Sequence, residues 1–196
     1  YVVTRFYRAP EVVLEQKYTM KVDVWSIGCI FAELITGQVL FPGKDRYNQW
    51  KQIIKIMGSP SASFVSQLRP NVVSDKNMFD AEQFVRQFRL YPKKTIEEIV
   101  PDSYFKDYEH DPNKYRTAAD ARRLLEKMLK MDPRERYTVS QLLQDPYVKR
   151  YSKDTEVNSP LSCEMYDSEF DEEDLCLEEL KSRIFREVKR MEPSFQ

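Results

Sequence analysis

Glycine is scarce in this chain, with four in 196 residues. No Gly-x-Gly-x-x-Gly run occurs, so a phosphate-cradling glycine loop of that kind is missing from the sequence. Cysteine is scarcer still. Cys29, Cys163 and Cys176 are an odd set with no Cys-x-x-Cys, which offers neither a disulfide framework nor a zinc site. No metal-ligand pattern is found. The one histidine, His110, stands in the polar stretch Glu109-His110-Asp111-Pro112. No serine or cysteine motif points to it, and it is expected at the surface. No apolar run approaches the roughly 20 residues that a membrane span needs. Neither sign of charge prevails, because 31 basic residues meet 32 acidic ones for a net −1. No global field therefore draws the chain to nucleic acid or to an anionic membrane, and neither is expected as a partner.

What is present is 41% apolar and 13% aromatic residues, enough for one sizeable core and unlike a disordered or repetitive chain. The pattern predicts a mainly helical fold. Pro10 suits the first turn of a short helix. Val24 to Thr36 is apolar almost all round and predicts a buried central helix, with Asp23 at its N-cap and Gly37 at its C-cap. Cys29 lies inside it and is expected to be buried. Tyr47, Trp50, Ile53, Ile54 and Met57 make one stripe of a second helix over Asp45 to Met57, ended by Gly58 and Pro60.

Residues 59–116 are less periodic and read as an insert. Short helices are expected near Ala81–Phe88 and after Thr95, where Thr95 and Glu98 suit a capping box. Thr117 with Asp120 suggests another box, ahead of the stripe Ala121, Leu124, Leu125, Met128 and Leu129. Thr138 with Gln141 opens a further short helix that stops before Pro146. Residues 152–163 read as a linker. Seven acids then fall between Glu164 and Asp174. Leu177, Leu180, Ile184, Val188 and Met191 follow at helical spacing, with bases towards the end. Acids first and bases last complement a helix dipole. The acidic run reads as a solvated helix entrance or as a contact for a basic partner.

Four separated landmarks carry a resemblance. They are Thr4-Arg5-Phe6-Tyr7-Arg8-Ala9-Pro10-Glu11, then Asp23-Val24-Trp25-Ser26-Ile27-Gly28-Cys29, then Phe41-Pro42-Gly43 with Asp45 and Gln49-Trp50, and last Met131-Asp132-Pro133-Arg134-Glu135-Arg136 with Asp145-Pro146-Tyr147. Their order and spacing resemble the C-terminal lobe of the protein-kinase fold. Residues 1–151 match that partial lobe, with 1–11 as the end of an activation segment and 59–116 as the kinase insert. Residues 152–196 form a C-terminal extension with an amphipathic tail helix. Tyr1-Val2-Val3 ahead of the first landmark is similar to mitogen-activated protein kinases. Val3 with Gln49-Trp50 looks most like the stress-activated c-Jun N-terminal kinase branch. A chain that opens inside this motif is expected to be the C-terminal part of a larger protein. Its sequence contains no V-A-I-K lysine, no H-R-D and no D-F-G.

The resemblance implies roles for particular residues. Tyr1 matches the tyrosine of a dual phosphorylation motif, and Arg5 and Arg8 match the arginines that hold its phosphate. A planar, permanently charged guanidinium suits that task. Thr4 matches a threonine that positions the substrate hydroxyl. Glu11 and Arg136 are expected to pair as a structural ion pair, and the landmark Trp25 is given a structural role as well. Asp23 matches an aspartate that accepts backbone hydrogens from the catalytic loop. Asp154 and Glu156 are candidates for an acidic docking site, diluted by Lys149, Arg150 and Lys153. The implied parent is a proline-directed serine/threonine kinase using ATP and Mg²⁺, neither of them bound by residues of this chain, and acting in cytoplasm and nucleus. An upstream dual-specificity MAP kinase kinase, substrates such as transcription factors, docking peptides and scaffolds are the implied partners. These 196 residues alone are expected to be inactive, because no residue here is catalytic. The alternative is a non-catalytic binding module that competes for activators or scaffolds.

Overall fold

The computed structural model describes residues 5–69, 71–74, 77–105, 117–149 and 176–191. A 3₁₀ turn at Arg5–Tyr7 leads into α1 (Pro10–Val13), with Pro10 at its first position. Then come α2 (Lys21–Thr36), α3 (Arg46–Met57) and α4 (Ala62–Val65). Strands β1 (Asn71–Ser74) and β2 (Asn77–Phe79) pair antiparallel, with Asn71 opposite Phe79 and Val72 opposite Met78. After them follow α5 (Ala81–Arg86), α6 (Ile96–Ile99) and a 3₁₀ turn at Asp102–Tyr104. The order closes with α7 (Ala118–Met128), α8 (Val139–Leu143), α9 (Pro146–Lys149) and α10 (Leu177–Met191). The chain divides into two compact units, residues 1–154 and 155–196.

Helix α2 is the axis of the first unit. Trp25, Cys29 and Ala32 point into the main core with Leu14, Phe41, Trp50, Ile53, Leu125 and Leu129. The Trp25 and Phe41 rings stack 5.5 Å apart. Burial pushes the Cys29 thiol far above its ordinary value, as expected for a small apolar side chain without a reactive role. On the neighbouring side Val24 meets Leu124, Met128 and Leu142 in a smaller cluster. All five residues of the predicted α7 stripe are buried.

Two expectations for α2 need correction. The helix starts at Lys21 after an N-cap at Met20, so Asp23 lies in the first turn with its side chain exposed. Its carboxylate still faces the positive end of the helix dipole. Nor is α2 buried all round. Ile27, Ile30 and Leu34 are 48%, 45% and 78% exposed. These residues recur at three- and four-residue spacing and form one outward stripe. An all-apolar sequence therefore does not mean a neighbour on every side. Gly37 does cap the helix, at φ 69°, a conformation that favours glycine.

Helix α3 starts at Arg46, with Asp45 as its N-cap: the Asp45 side chain accepts the Asn48 N–H at 2.7 Å. Two capping boxes form as predicted. Thr95 with Glu98 and Thr138 with Gln141 make reciprocal capping boxes. Thr117 caps α7 by accepting the Asp120 N–H, but the Asp120 carboxylate accepts from the Thr117 hydroxyl at 2.7 Å and from Arg123. That pair is therefore half a box. The insert is tied to α7 through Arg122, which donates to the Val100 carbonyl at 2.8 Å and to Asp102 at 2.6 Å. The buried Asp145 carboxylate accepts from Lys127 at 2.7 Å, from the Tyr147 N–H at 3.0 Å and from Arg123 at 3.2 Å. Burial alone would raise its pKa, but these donors hold it below the usual carboxylate value.

In the second unit, α10 presents Leu177, Leu180, Ile184, Phe185 and Val188 as an exposed apolar face. Glu178 and Glu179 occupy its first turn and Lys189 and Arg190 its last, as the dipole favours.

Candidate functional site

The turn at Arg5–Tyr7 is held by side chains from two helices. Ser26 of α2 donates to the Tyr7 carbonyl at 2.8 Å. Gln49 of α3 donates to the Phe6 carbonyl at 3.3 Å. The Gln49 amide oxygen accepts the Gly43 N–H at 3.1 Å. Gln49 is fully buried, so one amide joins the turn, the 41–45 loop and α3. The Tyr7 hydroxyl donates to Glu33 Oε2 at 2.9 Å. That bond, with the negative charge beside it, raises the Tyr7 pKa. Arg5 donates to the Lys44 carbonyl, and Arg46 pairs with Glu15.

These contacts surround a cavity of about 640 Å³. Arg5 and Arg8 line it together with Tyr7, Val12, Tyr18 and Ile30, and the paired Arg46 and Glu15 lie on its wall as well. The arrangement suits an anionic group at the arginines beside a small apolar group against Val12 and Ile30.

Beneath the turn, Glu11 and Arg136 meet. The Arg136 Nη1 and Nη2 groups donate to the two Glu11 oxygens at 2.7 and 2.9 Å. Both residues are buried, at 1% and 3% exposure. Arg136 also donates to the carbonyls of Lys130 at 3.0 Å, Lys21 at 2.9 Å and Met131 at 3.4 Å. Its five N–H groups are thereby all used. Its guanidinium lies 5.2 Å from the Trp25 ring centre, a cation–π distance. This pair locks α1 to the start of α2 and to the 131–136 loop, and so gives the turn above it a fixed base.

Of the residues singled out from the sequence, Arg5 and Arg8 share the cavity, and Glu11, Arg136 and Trp25 form the lock. Asp23 stands apart from both. Tyr1, Thr4, Asp154 and Glu156 lie outside the described residues, as do His110 and Cys163. The sequence reading missed the anchors Tyr7, Ser26, Glu33 and Gln49 as site residues. For Gln49 a signal was available. It falls four residues before Ile53, on the buried side of α3, where a polar side chain needs a partner. Ser26 and Glu33 looked like ordinary polar residues of a helix.

Tyr7→Phe is expected to keep the ring and lose the bond to Glu33. Hydrogen exchange should then speed up several-fold at the Arg8 amide, which donates to the Arg5 carbonyl at 3.1 Å, and stay unchanged in α7. Equal exchange at Arg8 in both proteins would rule out Tyr7 as an anchor of the turn.

The chain is similar to known proteins over nearly all its length. The protein kinase domain family matches residues 1–148. GLH-binding kinase 1 of Caenorhabditis elegans is 47% identical over 190 residues, which are 97% of this chain and 46% of that protein. The stress-activated protein kinase JNK of Drosophila melanogaster is 41% identical, over 96% of this chain and 48% of its own length. The kinase of the same name from Suberites domuncula is 40% identical, over 96% and 49%. This chain thus spans about half the length of these relatives.

Proposed function

This chain belongs to the protein kinase family, and on that footing we propose that it supplies the activation switch and substrate platform of a JNK-like, proline-directed serine/threonine kinase. The parent enzyme transfers the γ-phosphoryl group of ATP to Ser-Pro and Thr-Pro sites. The observation that carries this reading is the cavity rimmed by Arg5 and Arg8, directly downstream of Tyr1. Phosphorylated Tyr1 would bring roughly −1.5 to −2 charge and three acceptor oxygens to those guanidiniums. Ordering of the turn by that phosphate would shape the apolar side of the cavity for the proline after the phosphoacceptor. Thr4 positions the acceptor hydroxyl, and Asp23 accepts backbone hydrogens from the catalytic loop.

ATP and Mg²⁺ are the cofactors that the family uses. The residues in hand do not fit them. The sequence has no glycine-rich phosphate loop. Among the described residues no group of three or more His, Cys, Asp and Glu side chains could hold a metal ion. The chemical step is therefore assigned to parts of the kinase other than this chain, and the chain alone to substrate and partner binding. Asp154 and Glu156 contribute to docking of basic peptides, with specificity altered by the nearby lysines and arginine. A name such as GLH-binding kinase 1 points to protein partners for this chain as well. The same reading places the protein in the cytoplasm and nucleus, where free thiols such as Cys29 and Cys176 fit.

Tyr1→Phe tests the switch. Moving a two-state equilibrium from about 1:99 to 99:1 changes the active population roughly a hundredfold. After stimulation, the parent kinase carrying Tyr1→Phe is expected to lose activity on a Ser-Pro peptide on that order. Full activity of the variant would refute the assignment of Tyr1, Arg5 and Arg8.

A further inference from the structure

On the insert side of the first unit, α3 and the segment after α5 enclose a cleft of about 310 Å³. Lys51 and Lys55 line it from α3, and Arg89 and Tyr91 face them from the following loop. Tyr47 and Phe88 supply an aromatic surface, with ring centres 4.4 Å apart. No carboxylate lines this cleft among the described residues.

The cations converge rather than lie scattered. Arg89 stands 4.8 Å from the Tyr91 ring centre. The Arg89 guanidinium lowers the pKa of the Tyr91 phenol, and the charges of Lys51 and Lys55 act in the same direction. Both lysines line the same cleft as Arg89 and Tyr91. The loop that brings Tyr91 and Arg89 here is fixed to the end of α3. Ser59 donates its N–H to the Tyr91 carbonyl at 3.0 Å. The Tyr91 N–H donates to the Ser59 hydroxyl at 2.9 Å, and the Lys94 N–H to the Ile56 carbonyl at 3.0 Å. The cleft is thus formed in advance of any ligand.

Two lysines four residues apart repel each other and weaken the helix that carries them. Arg89 adds a third positive charge, and among the described residues no carboxylate lines the cleft to offset it. We propose that the cleft of Lys51, Lys55, Arg89 and Tyr91 binds a phosphate monoester on a side chain of a partner protein. A phosphate dianion matches this charge better than a single carboxylate does, and its three oxygens can accept from three cations at once. The rings of Tyr47 and Phe88 give the carrying side chain an apolar surface. The site is separate from the Arg5 and Arg8 cavity and does not depend on kinase activity.

The test uses the intact protein and a fluorescent phosphotyrosine peptide. Its unphosphorylated form, inorganic phosphate and anionic phospholipid vesicles serve as comparisons. The phosphopeptide is expected to bind and the unphosphorylated peptide not to. The double variant K51Q/K55Q should weaken binding at least about tenfold, with thermal stability equal or higher. Unchanged affinity in the double variant overturns the proposal. So does binding no tighter than that of inorganic phosphate, which would mean an adventitious anion only, or binding to vesicles without binding to the phosphopeptide.

Discussion

Replacing Arg136 by methionine is expected to destabilise the protein by about 3–5 kcal/mol, the range for breaking a buried ion pair from one side. The guanidinium is the shared donor for the Glu11 carboxylate and for three carbonyls. Methionine fills much of the volume but leaves a carboxylate at 3% exposure without its charge partner. Glu11→Leu alone strands the arginine in the same way. The double variant, Glu11→Leu with Arg136→Met, should lose less than the sum of the two, because it removes both charges and keeps apolar volume. Denaturant unfolding of the three variants checks this. A single-variant loss below about 1 kcal/mol, or strict additivity, would show that the pair does not lock α1 to the 131–136 loop.

The second large effect is expected at Gly43. A Cβ added there would lie 2.5 Å from the Gln49 Cα, and that atom belongs to α3 and cannot swing aside. Gly43→Ala must therefore push the 41–45 loop from α3 or rotate Gln49. Overpacking of this kind costs typically about 1–3 kcal/mol, and a lost buried hydrogen bond adds about 1 kcal/mol. The effect should also reach the turn, since Gln49 holds the Phe6 carbonyl. Hydrogen exchange at the amides of residues 5–8 is the readout. A stability change within about 0.5 kcal/mol, with unaltered exchange there, would mean that the loop absorbs the methyl group freely.

Local signals in the sequence carried far. The caps at Thr95 and Thr138 are set by a side chain and a backbone N–H three residues on, so spacing suffices to find them. The α7 stripe is legible for a similar reason, because it has one buried side and a 3.6-residue period. Where α2 meets its neighbours was not legible. Ile27 and Cys29 are both apolar, yet one is 48% exposed and the other 1%. Only the packing of other helices separates them. The hairpin of β1 and β2 escaped notice because its strands are four and three residues long, too short for a two-residue period to stand out.

The site shows the same division. Arg5, Arg8, Glu11 and Arg136 could be named from the resemblance. The hydroxyl of Tyr7 and the carboxylate of Glu33 are 26 residues apart in sequence, and no local rule joins them. Asp23 illustrates the opposite case. It satisfies the composition of an N-cap, but the helix starts two residues earlier, at Lys21, and the side chain is exposed in the first turn.

The bond between Glu11 and Arg136 spans 125 residues of sequence, and that span has a consequence in time. At about 5–20 residues per second, the ribosome finishes Arg136 roughly 6 to 25 s after Glu11. Through that interval the α1 carboxylate has no charge partner, and the start of α2 lacks the donor to its Lys21 carbonyl. Helix α1 and the start of α2 must therefore wait for the much later 131–136 loop, and the nascent chain passes through an unlocked state that the finished protein does not have.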